Sequence, residues 1–143
     1  MTGLVVDASV AIKWLSPFRL EALASQARGL LARWQRGAIE LIAPDLIWLE
    51  IANAHWKAVR QNRCTASDAE TSLAILHAQE LPTVPSEQFI DLALRIALQH
   101  GRTVYDSLYL ALAVTLNSEL ITADEKLVNA LASYFPVRWL GAI

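Results

Sequence analysis

Four acidic residues stand at positions where a carboxylate is costly. Asp7 directly follows a β-branched apolar run, and Asp124 lies two residues after another. Glu50 and Asp106 lie within segments that are largely apolar. A carboxylate held against apolar surface must be paired, hydrogen-bonded or bound to a metal. Four such acids in one short chain suggest that their side chains converge.

Converging carboxylates repel one another, and the sequence offers no obvious basic partner beside each acid. A hard divalent cation would offset this charge, since Mg²⁺ and Mn²⁺ prefer oxygen ligands. His55, His77 and His100 have no metal-ligand spacing. A cation held by carboxylates can polarise a phosphate and activate water. The four acids therefore predict metal-dependent phosphoryl-transfer hydrolysis. All four are candidate metal ligands and catalytic residues, although one or two could bind the ion directly while the others orient water or hold a second ion.

Each acid also has a structural interpretation. Asp7, Asp106 and Asp124 each stand where a helix could begin, and carboxylates stabilise helix N-termini. In particular, residues 103–106 and 122–125 resemble capping boxes. Capping does not explain acids on apolar helix faces, so the catalytic interpretation is favoured for the set.

Three polar residues and one lysine extend these alternatives. Ser9 and Thr122 could support the site by hydrogen-bonding an acid or a bound water, or they could cap helices. Asn53, one helical turn after Glu50, could hydrogen-bond its carboxylate or cross-link two helices. Glu50 itself could pair with Lys57 or with an arginine brought near it by the fold.

Strand-like and helical patterns alternate along the chain, which predicts an α/β fold with a parallel sheet covered by helices on both faces. We expect strands at residues 4–6, 40–43, 81–84, 120–122 and 137–140. Helical patterns cover 8–15, 20–35, 44–60, 67–79, 86–99, 103–116 and 125–134. Two of the acids would then lie at carboxyl ends of strands, the edge where open α/β sheets bind ligands.

Length and composition are typical of one soluble domain over residues 1–143. The chain is 55% hydrophobic, so disorder is not expected. Cys64 is the single cysteine, which fits a reducing cytoplasm. No uncharged stretch approaches the roughly 20 residues of a membrane span. The net charge of −2 is unusual for a nucleic-acid binder.

Four segments, taken in order, resemble the PIN-domain family of ribonucleases, and within that family the VapC-type toxins. They are residues 5–9 (VVDAS), 48–54 (WLEIANA), 105–111 (YDSLYLA) and 120–124 (LITAD). The resemblance implies a five-stranded parallel sheet of order 3-2-1-4-5. It also implies Mg²⁺- or Mn²⁺-dependent cleavage of RNA, a homodimer, and inhibition by a small cognate antitoxin protein. The four acidic positions match the family pattern.

Other functions match parts of this pattern. A haloacid-dehalogenase-type phosphatase needs a second aspartate two residues after the first, where this chain has Ser9. No motif for reading double-stranded DNA is present, so RNA is preferred over DNA on the resemblance alone. A catalytically silent PIN-type module that binds RNA or protein remains an alternative, as does a housekeeping RNA-processing nuclease.

Aromatic residues suggest a partner surface. The chain has five tryptophans, and Trp14, Trp48 and Trp56 flank Asp7 and Glu50 in sequence. Tryptophan is enriched at interface hot spots, although core packing is the favoured role for any one of them. We therefore expect an aromatic-lined groove for the antitoxin, with Trp14 contributing to binding more than to folding.

Overall fold

A computed structural model describes residues 2–15, 17–18 and 20–143, with the backbone alone at residue 2. Its five strands form one parallel sheet in the order β3-β2-β1-β4-β5, as the resemblance implies. The strands are β1 (Thr2–Val6), β2 (Ile39–Pro44), β3 (Thr83–Val84), β4 (Glu119–Thr122) and β5 (Val137–Trp139). The predicted α/β fold is thus confirmed.

The two central strands carry the most apolar sequences. Val5 and Val6 of β1 and Leu120 and Ile121 of β4 are fully buried. Strands covered on both faces need such continuous apolar runs. Val6 is in register with Ile121, so β1 and β4 end side by side. The residues that follow these two strands therefore meet at the carboxyl edge of the sheet.

In the described ranges, seven helices connect the strands. They are α1 (Ala8–Ala11), α2 (Ala24–Gln35), α3 (Leu46–Arg60), α4 (Ala66–Ala78), α5 (Ile90–His100), α6 (Val104–Thr115) and α7 (Glu125–Leu131). Short 3₁₀ turns occupy Ile12–Trp14, Ser86–Phe89 and Leu140–Ala142. Within the described ranges, no helix is both long and apolar enough to cross a membrane.

Helix α6 is the most deeply buried helix. All seven residues from Ser107 to Ala113 are buried. A helix buried on every side reads as uniformly apolar rather than amphipathic, which explains the segment LYLALA at 108–113. This rigid central helix carries Asp106 at its first turn and Tyr109 one turn later.

Several predicted boundaries were wrong for local reasons. The second helix begins at Ala24 rather than at residue 20, because Leu23 adopts a left-handed conformation (φ 68°) that a helix cannot contain. Pro44 ends β2 instead of opening the next helix. The last helix stops at Leu131 instead of continuing to residue 134. Strand β3 is only two residues long, since Pro82 lacks the N–H that a longer ladder needs.

The capping box of α4 lies two residues earlier than the sequence pattern indicated. Thr65 Oγ1 accepts from the backbone N–H of Asp68 (3.1 Å), and Asp68 Oδ2 accepts from the backbone N–H of Thr65 (3.1 Å). The predicted start at Ser67 and Glu70 was therefore one half-turn late. Both pairs have the serine/threonine-to-acid spacing, and the bond geometry selects the earlier one.

Candidate active site

Ser9 joins the ends of the two central strands. Its hydroxyl donates to Asp7 Oδ1 (2.5 Å) and accepts from the backbone N–H of Ala123 (3.0 Å). The hydroxyl of Thr122 lies 3.4 Å from the Ser9 oxygen. Asp7 stands at the N-cap position of α1, as capping predicted, but its close hydrogen bond is to Ser9. The two predicted supporting hydroxyls thus lie beside Asp7.

Asp124 caps α7 with its own side chain. Its Oδ1 accepts from the backbone N–H of Leu127 (3.2 Å), and its backbone N–H donates to Thr122 Oγ1 (3.1 Å). The predicted box starting at Thr122 was therefore wrong in register, because Asp124 rather than Thr122 is the cap. Only Oδ1 serves the helix. The second oxygen, Oδ2, lies near Arg102.

Glu50 is held by a tyrosine from the buried helix α6. The Tyr109 hydroxyl donates to Glu50 Oε1 (2.5 Å), and Tyr109 is only 3% exposed. Burial and the neighbouring Glu50 charge raise the pKa of Tyr109 well above its usual range, so the hydroxyl remains protonated. Among the described residues no ion pair joins Glu50 to Lys57. The bond between Tyr109 and Glu50 was not predicted, because a tyrosine in an apolar segment looks like a core residue.

The pKa values of Asp7 and Glu50 both rise. Burial is the largest cause of the rise in the pKa of Asp7 to about 6, and the Glu50 charge raises it further. The hydrogen bonds from Ser9 and Thr122 act in the opposite direction and lower this pKa. Burial also raises the pKa of Glu50, and the Asp106 charge adds to that shift. Because Glu50 acts on Asp7 and Asp106 acts on Glu50, these three acids are close enough to repel one another.

An arginine that the sequence reasoning missed lies between the remaining two acids. Arg102 Nη2 is 3.2 Å from Asp106 Oδ2 and 3.7 Å from Asp124 Oδ2. The expectation that the acids have no basic partner was therefore wrong for Asp106 and Asp124. The missed signal was a basic residue four positions before Asp106, in the short connection that precedes α6.

Asp106 does not complete the predicted capping box. Thr103 Oγ1 accepts from the backbone N–H of Asp106 (3.1 Å) and so caps α6. The Asp106 carboxylate instead accepts a hydrogen bond from Arg102. The acid therefore sits at a helix start, as capping predicted, while its charged oxygens face the site.

The four acids thus form two pairs with different partners. Asp7 and Glu50, the hydroxyl-bound pair, accept from Ser9 and Tyr109. The arginine-bound pair, Asp106 and Asp124, faces Arg102. Asn53 is exposed and makes no hydrogen bond with Glu50 in the described structure, so its supporting role stays a prediction.

The donor set suits a hard cation. Within the described residues, no three His, Cys, Asp or Glu side chains form a ready-made metal cage. Mg²⁺ does not need one, because it commonly binds through one or two carboxylates and keeps several waters. Burial raises the pKa values of Asp7 and Glu50, and the charge of a neighbouring acid adds to each rise, so a cation would stabilise the ionised forms. Residues and cation are chemically compatible.

Trp14 belongs to the core rather than to an open groove. It is 4% exposed, its indole N–H donates to the Ala27 carbonyl (3.0 Å), and its ring stacks on that of Trp34. The expectation that Trp14 contributes more to partner binding than to folding is therefore not supported. Trp56, in contrast, is 55% exposed on α3.

Known proteins share both the sequence pattern and the fold. Residues 4–131 match the PIN domain family. Ribonuclease VapC3 of Pyrobaculum aerophilum is 33% identical over 128 residues, which cover 88% of this chain and 92% of that protein.

Solved structures agree on the fold. The crystal structure of PAE2754 from Pyrobaculum aerophilum has a TM-score of 0.67 at 21% identity, with 99% of this chain and 92% of that chain covered. VapBC2 from Rickettsia felis, solved bound to a DNA fragment from its promoter, has a TM-score of 0.63 at 12% identity and covers 96% and 98% of the two chains. With a family match over nearly the whole chain and a relative above 30% identity, the chain belongs to the PIN-domain family and, within it, to the VapC group.

Proposed function

We propose that this protein is a divalent-metal-dependent ribonuclease and the toxin of a toxin–antitoxin pair. The observation that carries the proposal is the meeting of four acids from four separate segments at the carboxyl edge of the sheet, in a chain of the VapC group. The relative VapC3 is named a ribonuclease, and VapBC complexes share the fold. The alternative of a silent binding module lacks a reason to retain repelling acids.

In this proposal Asp7, Glu50, Asp106 and Asp124 hold the cation. Mg²⁺ or Mn²⁺, when bound, supplies Lewis acidity toward the phosphate and activates water for attack. Ser9 fixes the Asp7 carboxylate and ties it to the end of β4. Tyr109, kept protonated, orients one oxygen of Glu50 and leaves the other for the site.

The proposed partners follow from the family. The proposed substrate is RNA, and the proposed compartment is the cytoplasm. A small antitoxin would bind and inhibit the chain, and we propose a homodimer as the functional unit. The net charge of −2 gives little electrostatic attraction for RNA, so affinity should depend on the cation and on local contacts.

Cleavage in the presence and absence of metal tests the activity. The purified chain should cut single-stranded RNA with Mg²⁺ or Mn²⁺ and stop with EDTA, because carboxylate oxygens are the proposed ligands. Products should carry 5′-phosphate and 3′-hydroxyl ends. Robust cleavage in excess chelator, or 2′,3′-cyclic phosphate ends, would reject the mechanism.

A single substitution tests the site itself. Asp106→Asn should leave the fold intact, since the Thr103 cap accepts from the backbone of residue 106, but it should reduce cleavage by about 100-fold or more. Asp91→Asn, at an exposed acid on the distant end of α5, is the matched control and should cleave normally. Full activity of Asp106→Asn with lowered stability would identify Asp106 as a structural residue only.

A further inference from the structure

Arg102 is placed at the site by a short and well-defined connection. Gly101 ends α5 in a left-handed conformation (φ 68°), and Thr103 caps α6. Only Arg102 separates these two residues. Its side chain is 25% exposed, and its Nε is buried with no hydrogen-bond partner in the described part of the chain. The side chain is thus held at the site by its two acids and not by further hydrogen bonds that the structure records.

The contacts of Arg102 are those of a replaceable counter-ion. One nitrogen, Nη2, faces both carboxylates, at 3.2 Å and 3.7 Å. A strong arginine–carboxylate pair is instead bidentate, with two parallel short bonds. The two carboxylates are also 37% and 44% exposed, so water weakens the attraction. A dication that reached these oxygens would outcompete a single guanidinium charge.

The two acids belong to different elements, which gives the arginine a second effect. Asp106 lies on α6 and Asp124 begins α7. Without a cation, two carboxylates that face the same point repel each other. Arg102 offsets that repulsion and keeps both acids directed inward before any metal arrives.

We propose that Arg102 is a positioning residue that neutralises Asp106 and Asp124 in the metal-free protein and competes with the divalent cation for them. This inference rests on the proposed function and adds a role for a residue outside the four acids. The affinity for the metal then depends on Arg102 as well as on the residues that bind the metal. The metal-loaded site requires Arg102 to release at least one carboxylate.

Calorimetric titration of the metal-free chain with Mn²⁺ tests the competition directly. Arg102→Gln should bind Mn²⁺ about fivefold more tightly than wild type, the ratio that corresponds to a partly exposed ion pair of about 1 kcal/mol. Arg102→Lys keeps the charge and should stay near wild-type affinity. Arg138→Gln removes an equal charge from a pair with Glu119, at the start of β4, and should leave affinity unchanged.

Thermal unfolding with and without Mn²⁺ separates positioning from general stabilisation. In EDTA, Arg102→Gln should melt below wild type, because the two acids then repel. Saturating Mn²⁺ should remove that difference. A residue with a purely structural role would lower the melting temperature equally under both conditions.

The outcomes distinguish this inference from the function on which it rests. If neither wild type nor Arg102→Gln binds Mn²⁺, the proposed metal-dependent function fails, and the competition with it. If wild type binds Mn²⁺ and Arg102→Gln binds equally or more weakly, only the role of Arg102 is overturned.

Discussion

The hydroxyl-bound pair and the arginine-bound pair both concentrate negative charge, but different groups offset that charge in each pair. Asp7 and Glu50 have raised pKa values and neutral donors, so in the metal-free protein their charge is removed by protonation at acidic pH, below about pH 6 for Asp7. Asp106 and Asp124 have a guanidinium instead. One pair thus depends on pH for its neutralisation, and the other depends on the contacts of one side chain.

The two pairs also set different conditions for metal binding. Metal binding to the hydroxyl-bound pair must displace protons below about pH 6, while binding to the arginine-bound pair must displace a guanidinium at any pH. The two pairs should therefore respond differently to substitution, pH and hydrogen-bond removal. Four experiments test that expectation, in order of decreasing effect.

The largest effect is expected from Asp7→Asn, compared with Asp124→Asn. Both should reduce RNA cleavage by about 100-fold or more, because each removes a charged oxygen from the site. Only Asp7→Asn should raise the free energy of unfolding in EDTA at pH 7, since it removes a partly buried charge with no cationic partner. Asp124→Asn deprives Arg102 of a partner and should not be stabilising. Equal gains in stability would erase the distinction between the pairs.

A pH profile of stability isolates the hydroxyl-bound pair. The pKa of Asp7 rises from its ordinary value of 3.8 to about 6, so the folded protein binds this proton more readily than the unfolded chain. The contribution of Asp7 to the free energy of unfolding should therefore be largest below about pH 4, fall as pH rises toward about 6, and stay low above it. The fall should reach at most about 3 kcal/mol.

Urea unfolding in EDTA measures this contribution as the difference between wild type and Asp7→Asn. The subtraction removes the acids and histidines that titrate elsewhere. A difference that stays constant between pH 4 and pH 7 would show that Asp7 ionises normally in the folded protein.

Removing the tyrosine hydroxyl should have a smaller effect that also depends on pH. Tyr109→Phe removes the donor to the ionised Glu50, and a hydrogen bond to a charged group contributes about 1.5–3 kcal/mol. The loss of stability should be greater at pH 7 than at pH 4.5, and the cleavage profile should shift to higher pH. Tyr105→Phe, at a 61% exposed tyrosine on the same helix, is the control. Identical behaviour of the two variants would contradict a role for Tyr109.

The smallest effect concerns the helix that positions the arginine-bound pair. Thr103→Ala and Thr65→Ala each remove an N-cap, and each should cost about 1 kcal/mol of stability. Only Thr103→Ala should also lower cleavage at a temperature where both variants are folded, because its cap fixes the turn that carries Asp106. If Thr65→Ala lowers cleavage equally, the caps act through global stability alone.

The fold could be predicted from the sequence because its strongest signals are local. Continuous apolar runs at 4–6 and 120–122 mark the central strands, and each is followed by an acid. Boundaries failed where conformation depends on contacts distant in sequence. Leu23 takes a positive φ, which no propensity favours for leucine, and Pro44 could equally have opened a helix.

The acids were easier to predict than their partners. A carboxylate next to apolar residues is conspicuous, whereas a tyrosine among leucines looks like packing. Tyr109 approaches Glu50 across 59 positions of sequence, so no local pattern reveals their bond. Arg102 did carry a local signal through its spacing to Asp106, but its contact with Asp124 depends on the topology of the sheet.

The hydrogen bonds of Ser9 have a consequence for how the protein is made. Ser9 contacts Thr122 and Ala123, which are 113 and 114 positions further along the chain. During synthesis, β1 emerges first and can pair with β4 only after β4 has been made, since non-local parallel strands pair late. A nascent chain that has not reached residue 119 lacks both β4, the strand beside β1, and the last acid, Asp124. We therefore expect the nuclease to stay inactive on the ribosome until its final strands are available, so that an incomplete chain is harmless to the cell that produces it.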